Sequence, residues 1–155
     1  MKPFLKYWLP ILAWVSVIFF GSTDLMSAEH TSRFIVPFLL WLKPDISPEA
    51  LAWIHLIVRK CAHVGEYAIL GLLLLRAATL ITNVKWSMPI LGLIIVTTSL
   101  IVAVTDELHQ TFVASRGPSI WDIMIDTSGA FLGLLIGSMF RVNRPVGVEA
   151  TQPDQ

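Results

Sequence analysis

A run of polar residues, Arg59-Lys60-Cys61-Ala62-His63-Val64-Gly65-Glu66-Tyr67, sits inside an apolar stretch reaching from Leu51 to Leu75. In a soluble protein such a run is a solvated helix face. Here the mean hydropathy is +0.70 and 55% of residues are hydrophobic, so the solvent this chain is built for is lipid. Charged residues make up 14%, well under the roughly 25% of soluble domains. Ionisable groups placed near lipid are costly and mark function by default. Two further polar sets end other apolar segments: Asp106-Glu107-Leu108-His109-Gln110, and Arg116 with Asp122 and Asp126. The three sets are expected to meet at one site near one membrane boundary.

A chain of 155 residues has room for one domain. Its 11 basic and 11 acidic residues cancel, which argues against nucleic acid as a partner. Cys61 is the sole cysteine, so no intrachain disulfide can form. His63, Glu66, Glu107, His109 and Asp122 carry nitrogen and oxygen donors, but no short zinc pattern such as H-E-x-x-H is present. No metal and no cofactor are expected.

Four apolar segments, about residues 4–22, 55–83, 86–110 and 119–140, match the roughly 20 residues that cross a hydrocarbon core. The fold class is therefore all-α: an integral membrane four-helix bundle over residues 1–140, followed by a polar tail, 141–155. A cleaved signal peptide is the weaker reading of the first segment, because no A-x-A-like site follows it. Between the first and second spans, Phe34 to Leu42 is apolar but too short to cross, and reads as an interfacial or re-entrant helix. Thr31 or Ser32 is its candidate N-cap. Ser47-Pro48-Glu49 marks a helix start: a capping hydroxyl, proline at the first helical position, then an acid on the positive dipole end. That helix is expected to run to about Ile81.

Lys2, Lys6, Arg76, Lys85, Arg141 and Arg144 fall on one side of this arrangement. Arg33, Lys43, Arg59, Lys60 and Arg116 fall on the other, among most of the acids. Weighing the basic flanks leads one to expect both termini in the cytoplasm and the polar sets in the outer half of the membrane.

Lys60, His63 and Tyr67 follow i, i+3, i+7 spacing and share a helix face. Asp122 and Asp126 lie four apart, and their stripe continues through Gly129, Gly133 and Gly137. That run is the small-residue interface of membrane helices. It is read first as packing within the chain; a second copy is the other partner it could serve. The stripe, with Leu70 and Leu74, is expected to floor a pocket whose mouth is polar.

At these residues the chain resembles the VanZ-like family of small bacterial membrane proteins, named for a protein associated with teicoplanin resistance. The resemblance rests on Lys60-x-x-His63-x-x-x-Tyr67, on Asp106-Glu107-x-x-Gln110, on Arg116 followed six residues on by Asp122, and on Asp126 with Gly129 and Gly133. Family members often carry Pro-Gly before the arginine, where Ala114-Ser115 stand here, and Asn at the position of Asp126. The resemblance implies a multi-spanning protein of the cell envelope and supplies no reaction.

Two main readings follow from these residues; a small proton or ion conductor is the weakest, because the inner halves of the spans lack ionisable relays. In one, the protein recognises or modifies an outer-leaflet lipid or a lipid-linked cell-wall precursor. Lys60, Glu66, Tyr67, Asp106, Gln110, Arg116 and Asp126 would then bind the ligand, and His63, with Glu107 or Asp122, would move protons if chemistry occurs. In the other, the protein is a non-enzymatic membrane scaffold, and pairs such as Lys60 with Glu107 or Arg116 with Asp122 hold the bundle together. Whether it is an enzyme stays open at this point.

Overall fold

The computed structural model describes residues 2–24, 28–81, 87–114 and 116–142, with residues 2–4, 28–30, 81, 141 and 142 as backbone only. Lys85, Ser115, Arg144 and the tail beyond residue 142 lie outside the described residues, as do the side chains of Lys2, His30 and Arg141. Five helices make up the fold among the described residues: α1 Lys2–Gly21, α2 Ala28–Leu42, α3 Pro48–Ile81, α4 Met88–Gln110 and α5 Ile120–Val142. Three of them contain segments long and apolar enough to cross a membrane, Pro48–Leu80, Met88–Gln110 and Ile120–Phe140. The apolar part of α1, Leu5–Gly21, is shorter.

The helix boundaries follow local chemistry. Ser47 Oγ accepts the Ala50 N–H at 3.2 Å, so α3 opens with a side-chain cap and with Pro48 where no N–H is needed. It then runs for 34 residues, about 50 Å at 1.5 Å per residue. That exceeds a hydrocarbon core of about 30 Å, so one end of α3 must project. α2 starts at Ala28, earlier than expected. Thr31 and Ser32 therefore lie in its first turns and are not its N-cap. Its half-buried positions, Thr31, Ser32, Ile35, Val36 and Leu39, recur at helical spacing and face α3. Its other face exposes Phe34, Phe38 and Trp41.

α3 is the hub, touching each of the other four helices. α4 touches α1 and α5 as well, so α1 and α5 lie on opposite sides of the α3–α4 pair. The polarity is inverted relative to a soluble protein. Asp106, Asp126 and Gln110 are fully buried, whereas Leu93, Ile101, Leu108, Met124 and Phe131 face outward. Lipid-facing helices carry this pattern, because water offers no reward for burying leucine inside a bilayer.

The closest packing is between α3 and α5. A Cβ added to Gly129 would lie 2.6 Å from the Val64 carbonyl oxygen, and one on Gly133 would collide with the Ala68 carbonyl. From the α3 side, one on Gly71 would collide with the Ala130 carbonyl. On Gly137 it would meet the Leu75 and Leu72 side chains. The glycine stripe is thus filled by α3 of the same chain. It does not floor a pocket, because backbone meets backbone along it.

Gly133→Ala should therefore force α3 and α5 apart and lower the melting temperature in detergent by several degrees. Gly65→Ala, whose added methyl meets nothing within 4 Å, should raise stability by up to about 1 kcal/mol through helix propensity. Thermal unfolding followed by light scattering or circular dichroism reads both, and equal melting profiles for the two variants would remove the packing role of the stripe.

Candidate functional site

α3 carries two polar stripes at helical spacing. Lys60, His63 and Tyr67 turn toward α5, while His55, Arg59, Ala62 and Glu66 turn toward α1 and α2. His63 stands where the stripes meet. On the α5 side Lys60 pairs with Asp122, and Arg59 approaches the same carboxylate at 4.0 Å. One turn deeper, His63 Nδ1 lies 3.1 Å from Asp126 Oδ1. Asp122 is 3% exposed and Asp126 0%, so both acids turn inward, as the glycine stripe below them requires. A carboxylate only accepts, so this pairing assigns the imidazole proton to Nδ1. Nε2 is then the nitrogen left for the cavity that His63 also lines.

The sequence paired His63 with Glu107 or Asp122; its partner is Asp126. Lys60 likewise pairs with Asp122 and not with Glu107. Glu107 Oε2 accepts the Ser119 N–H at 2.7 Å, just ahead of α5. Its negative charge there opposes the positive end of the helix dipole. Arg116 does not take Asp122. It donates through Nη2 to the Gly21 carbonyl at 2.7 Å, tying the α4–α5 connection to the end of α1. Burial, and next the nearby Arg59 guanidinium, pull the Arg116 pKa below its usual value. A guanidinium nonetheless keeps its charge at any physiological pH.

A second buried knot joins α1 to α4. Ser22 donates to Asp106 Oδ2 at 2.6 Å, and Gln110 Nε2 donates to the same oxygen at 3.1 Å. Tyr67 is wholly buried, and its hydroxyl has no hydrogen-bond partner. It lies within electrostatic range of Asp126, Asp106 and Glu66. The three polar sets therefore converge, with Tyr67 between the α3–α5 pairs and the α1–α4 knot. Glu107, held at its capping contact, also lies within electrostatic range of Tyr67, Asp106, Asp122 and Asp126.

A cavity of about 230 Å³ opens beside these pairs, between α3, the end of α1 and α2. His55, Arg59, His63, Glu66 and Arg116 line it, with Thr31 and Ile35 contributed by α2. Glu66 is braced by α1: its backbone carbonyl accepts the Trp14 indole N–H at 2.8 Å, and a methyl on Gly21 would just touch its Oε1 at 3.4 Å. Among the described residues no three of His, Cys, Asp and Glu gather closely enough to hold a metal ion. The sequence reading did not single out Ser22. The His55, Arg59, Ala62, Glu66 spacing could have marked the cavity face. Ser22 meets Asp106 across 84 residues, and no local pattern announces such a contact.

Fold and site together define a small all-helical protein with membrane-crossing helices packed around one buried polar cluster. Within that class the chain belongs to the VanZ-like family: the family model described as VanZ/LLP1 matches residues 7–141, nearly the whole chain. No curated protein and no solved structure matches it.

Removing one partner of a buried ion pair strands the other charge. Asp122→Ala should therefore destabilise the protein more than Lys60→Met, since Lys60 is 30% exposed and Asp122 only 4% at the side chain. The double variant Lys60→Met, Asp122→Leu should recover most of the loss. A double-mutant cycle in detergent checks this, and strict additivity would contradict the pairing.

Proposed function

We propose that this is a polytopic protein of the bacterial cytoplasmic membrane that recognises or modifies an outer-leaflet lipid or a lipid-linked cell-wall precursor. In this reading α1, α3, α4 and α5 all cross the bilayer. α1 has 20 residues, about 30 Å of helix and enough for a hydrocarbon core. α2 lies along the interface with its aromatic face in lipid. Both termini are cytoplasmic, so the cavity opens in the outer half. Membership of the family gives the phenotype to look for, resistance to teicoplanin.

The observation that carries the reading is the cavity itself: two arginines, two histidines and one carboxylate on its wall, beside an amphipathic helix. Lys60, Asp122 and Asp126 hold the wall in place, and Asp106, Gln110 and Tyr67 close it from behind. If a reaction follows binding, His63 is the residue to move a proton, oriented by Asp126. The scaffold reading draws support from Glu107, Lys60 and Asp106, each of which has a partner inside the chain.

Arg59 separates the two readings, because Asp122 keeps Lys60 when Arg59 is removed. Arg59→Ala should leave the protein inserted and monodisperse yet abolish the envelope phenotype, read as teicoplanin susceptibility and as the lipid profile of a complemented deletion strain. An unchanged phenotype at normal abundance would favour the scaffold. A reporter active only outside the cytoplasm, fused after Gln155, should stay silent; activity would reverse the orientation.

A further inference from the structure

The cavity narrows the chemistry of the ligand, and this step rests on the lipid-recognition reading above. Lys60 and Asp122 cancel each other. The remaining ionisable groups of full charge on the cavity wall are then the Arg59 and Arg116 guanidiniums, with the Glu66 carboxyl beside them. Two guanidiniums facing one small space repel each other. A phosphate relieves that repulsion, because its oxygens match the planar donor fork of arginine. Arg59 is available for it: its Nε is buried without a hydrogen-bond partner, and its 4.0 Å approach to Asp122 is too long for a hydrogen bond.

Glu66 faces the same space and would repel a bare phosphate. As a carboxylate it accepts from an ammonium. The wall therefore complements a group that carries both charges. Size limits it further. At about 230 Å³ the cavity falls below the roughly 300–1,000 Å³ that drug-sized ligands occupy. A small headgroup suits that space, whereas most of a disaccharide-peptide head would lie outside it.

We infer that the cavity seats an aminoalkyl phosphate headgroup, with its phosphate on Arg59 and Arg116 and its primary ammonium on Glu66. His55, whose Nε2 is buried without a partner, and His63 stand on the same wall as further hydrogen-bonding groups. Phe34 and Phe38 are exposed on α2, outside its cavity-lining Thr31 and Ile35, and acyl chains of a seated headgroup would run along them.

The test uses the purified full-length protein in neutral detergent. Affinities are measured for short-chain phosphatidylethanolamine, phosphatidylcholine and phosphatidylglycerol, for free phosphoethanolamine, and for a lipid-linked disaccharide precursor. Phosphatidylethanolamine should bind about tenfold more tightly than phosphatidylcholine, whose quaternary nitrogen donates no hydrogen bond to Glu66. Glu66→Gln should erase that preference without weakening phosphatidylglycerol, and Arg59→Ala should weaken every phosphate ligand. Free phosphoethanolamine binding with the same Glu66 dependence would also support the headgroup chemistry and name a soluble source. Equal binding of all phospholipids in wild type and Glu66→Gln overturns the headgroup assignment and leaves lipid recognition standing. Tighter binding of the disaccharide precursor overturns it in the same way. If no lipid binds in an Arg59-dependent manner, both readings fall. Size-exclusion profiles of the variants exclude misfolding, and Arg59→Lys, which keeps the charge but loses the fork, gives a second, conservative variant.

Discussion

Backbone-to-backbone contact between α3 and α5 is the constraint on which the rest of the molecule depends. Gly129 and Gly133 lie against the Val64 and Ala68 carbonyls, and Gly71 against that of Ala130. Only residues without a Cβ permit this approach, and in lipid such packing replaces the hydrophobic drive that water would supply. The contact also fixes the register of the two helices. With Gly129 against Val64, Asp126 falls beside His63 and Asp122 beside Lys60. A shift by one residue would turn both acids away from α3 and leave them unpaired, at the cost of several kcal/mol that an unsatisfied buried charge carries.

Around that axis the chain keeps polar groups inside and apolar groups outside. The inward acids are neutralised or capped by groups from different helices: Lys60 and His63 from α3, Ser22 from the end of α1, and the Ser119 backbone N–H ahead of α5. Arg116 adds a tie from the α4–α5 connection to the last carbonyl of α1, that of Gly21. The result is a polar wall, buried on the α5 side and open on the α2 side. Among the described residues α2 packs on α3 alone of the helices. This division separates residues that hold the wall from residues that face a ligand.

Much of this was legible in the sequence, and what was not has physical reasons. Segment length and hydropathy located α3, α4 and α5, and Ser47-Pro48-Glu49 fixed where α3 begins, because capping is local chemistry. The i, i+3, i+7 spacing put Lys60, His63 and Tyr67 on one face, and the glycine stripe turned Asp122 and Asp126 inward. Pairing was harder to read. Which acid His63 meets depends on helix register to within one turn, and periodicity does not give the register between helices. Hence Asp126 took the place expected of Glu107 or Asp122. The start of α2 was missed because the helix was read from its apolar run, which begins only at Phe34, although Ser27, a residue type that caps helices, stands just before Ala28. The cavity was sought on the glycine stripe, yet the stripe that lets backbones touch leaves no room for one. His55, Arg59 and Glu66 lie on the other face of α3, and the same helical spacing marks them.

The central claim is that the α3–α5 contact seats His63 on Asp126. Nitrogen-15 NMR of the His63 imidazole in the full-length protein tests it most directly. The account predicts a protonated Nδ1 hydrogen-bonded to a carboxylate, with a resonance that shifts in Asp126→Asn and shifts again in Gly129→Ala, where only the helix contact is disturbed. A His63 signal that is unchanged in both variants would contradict it.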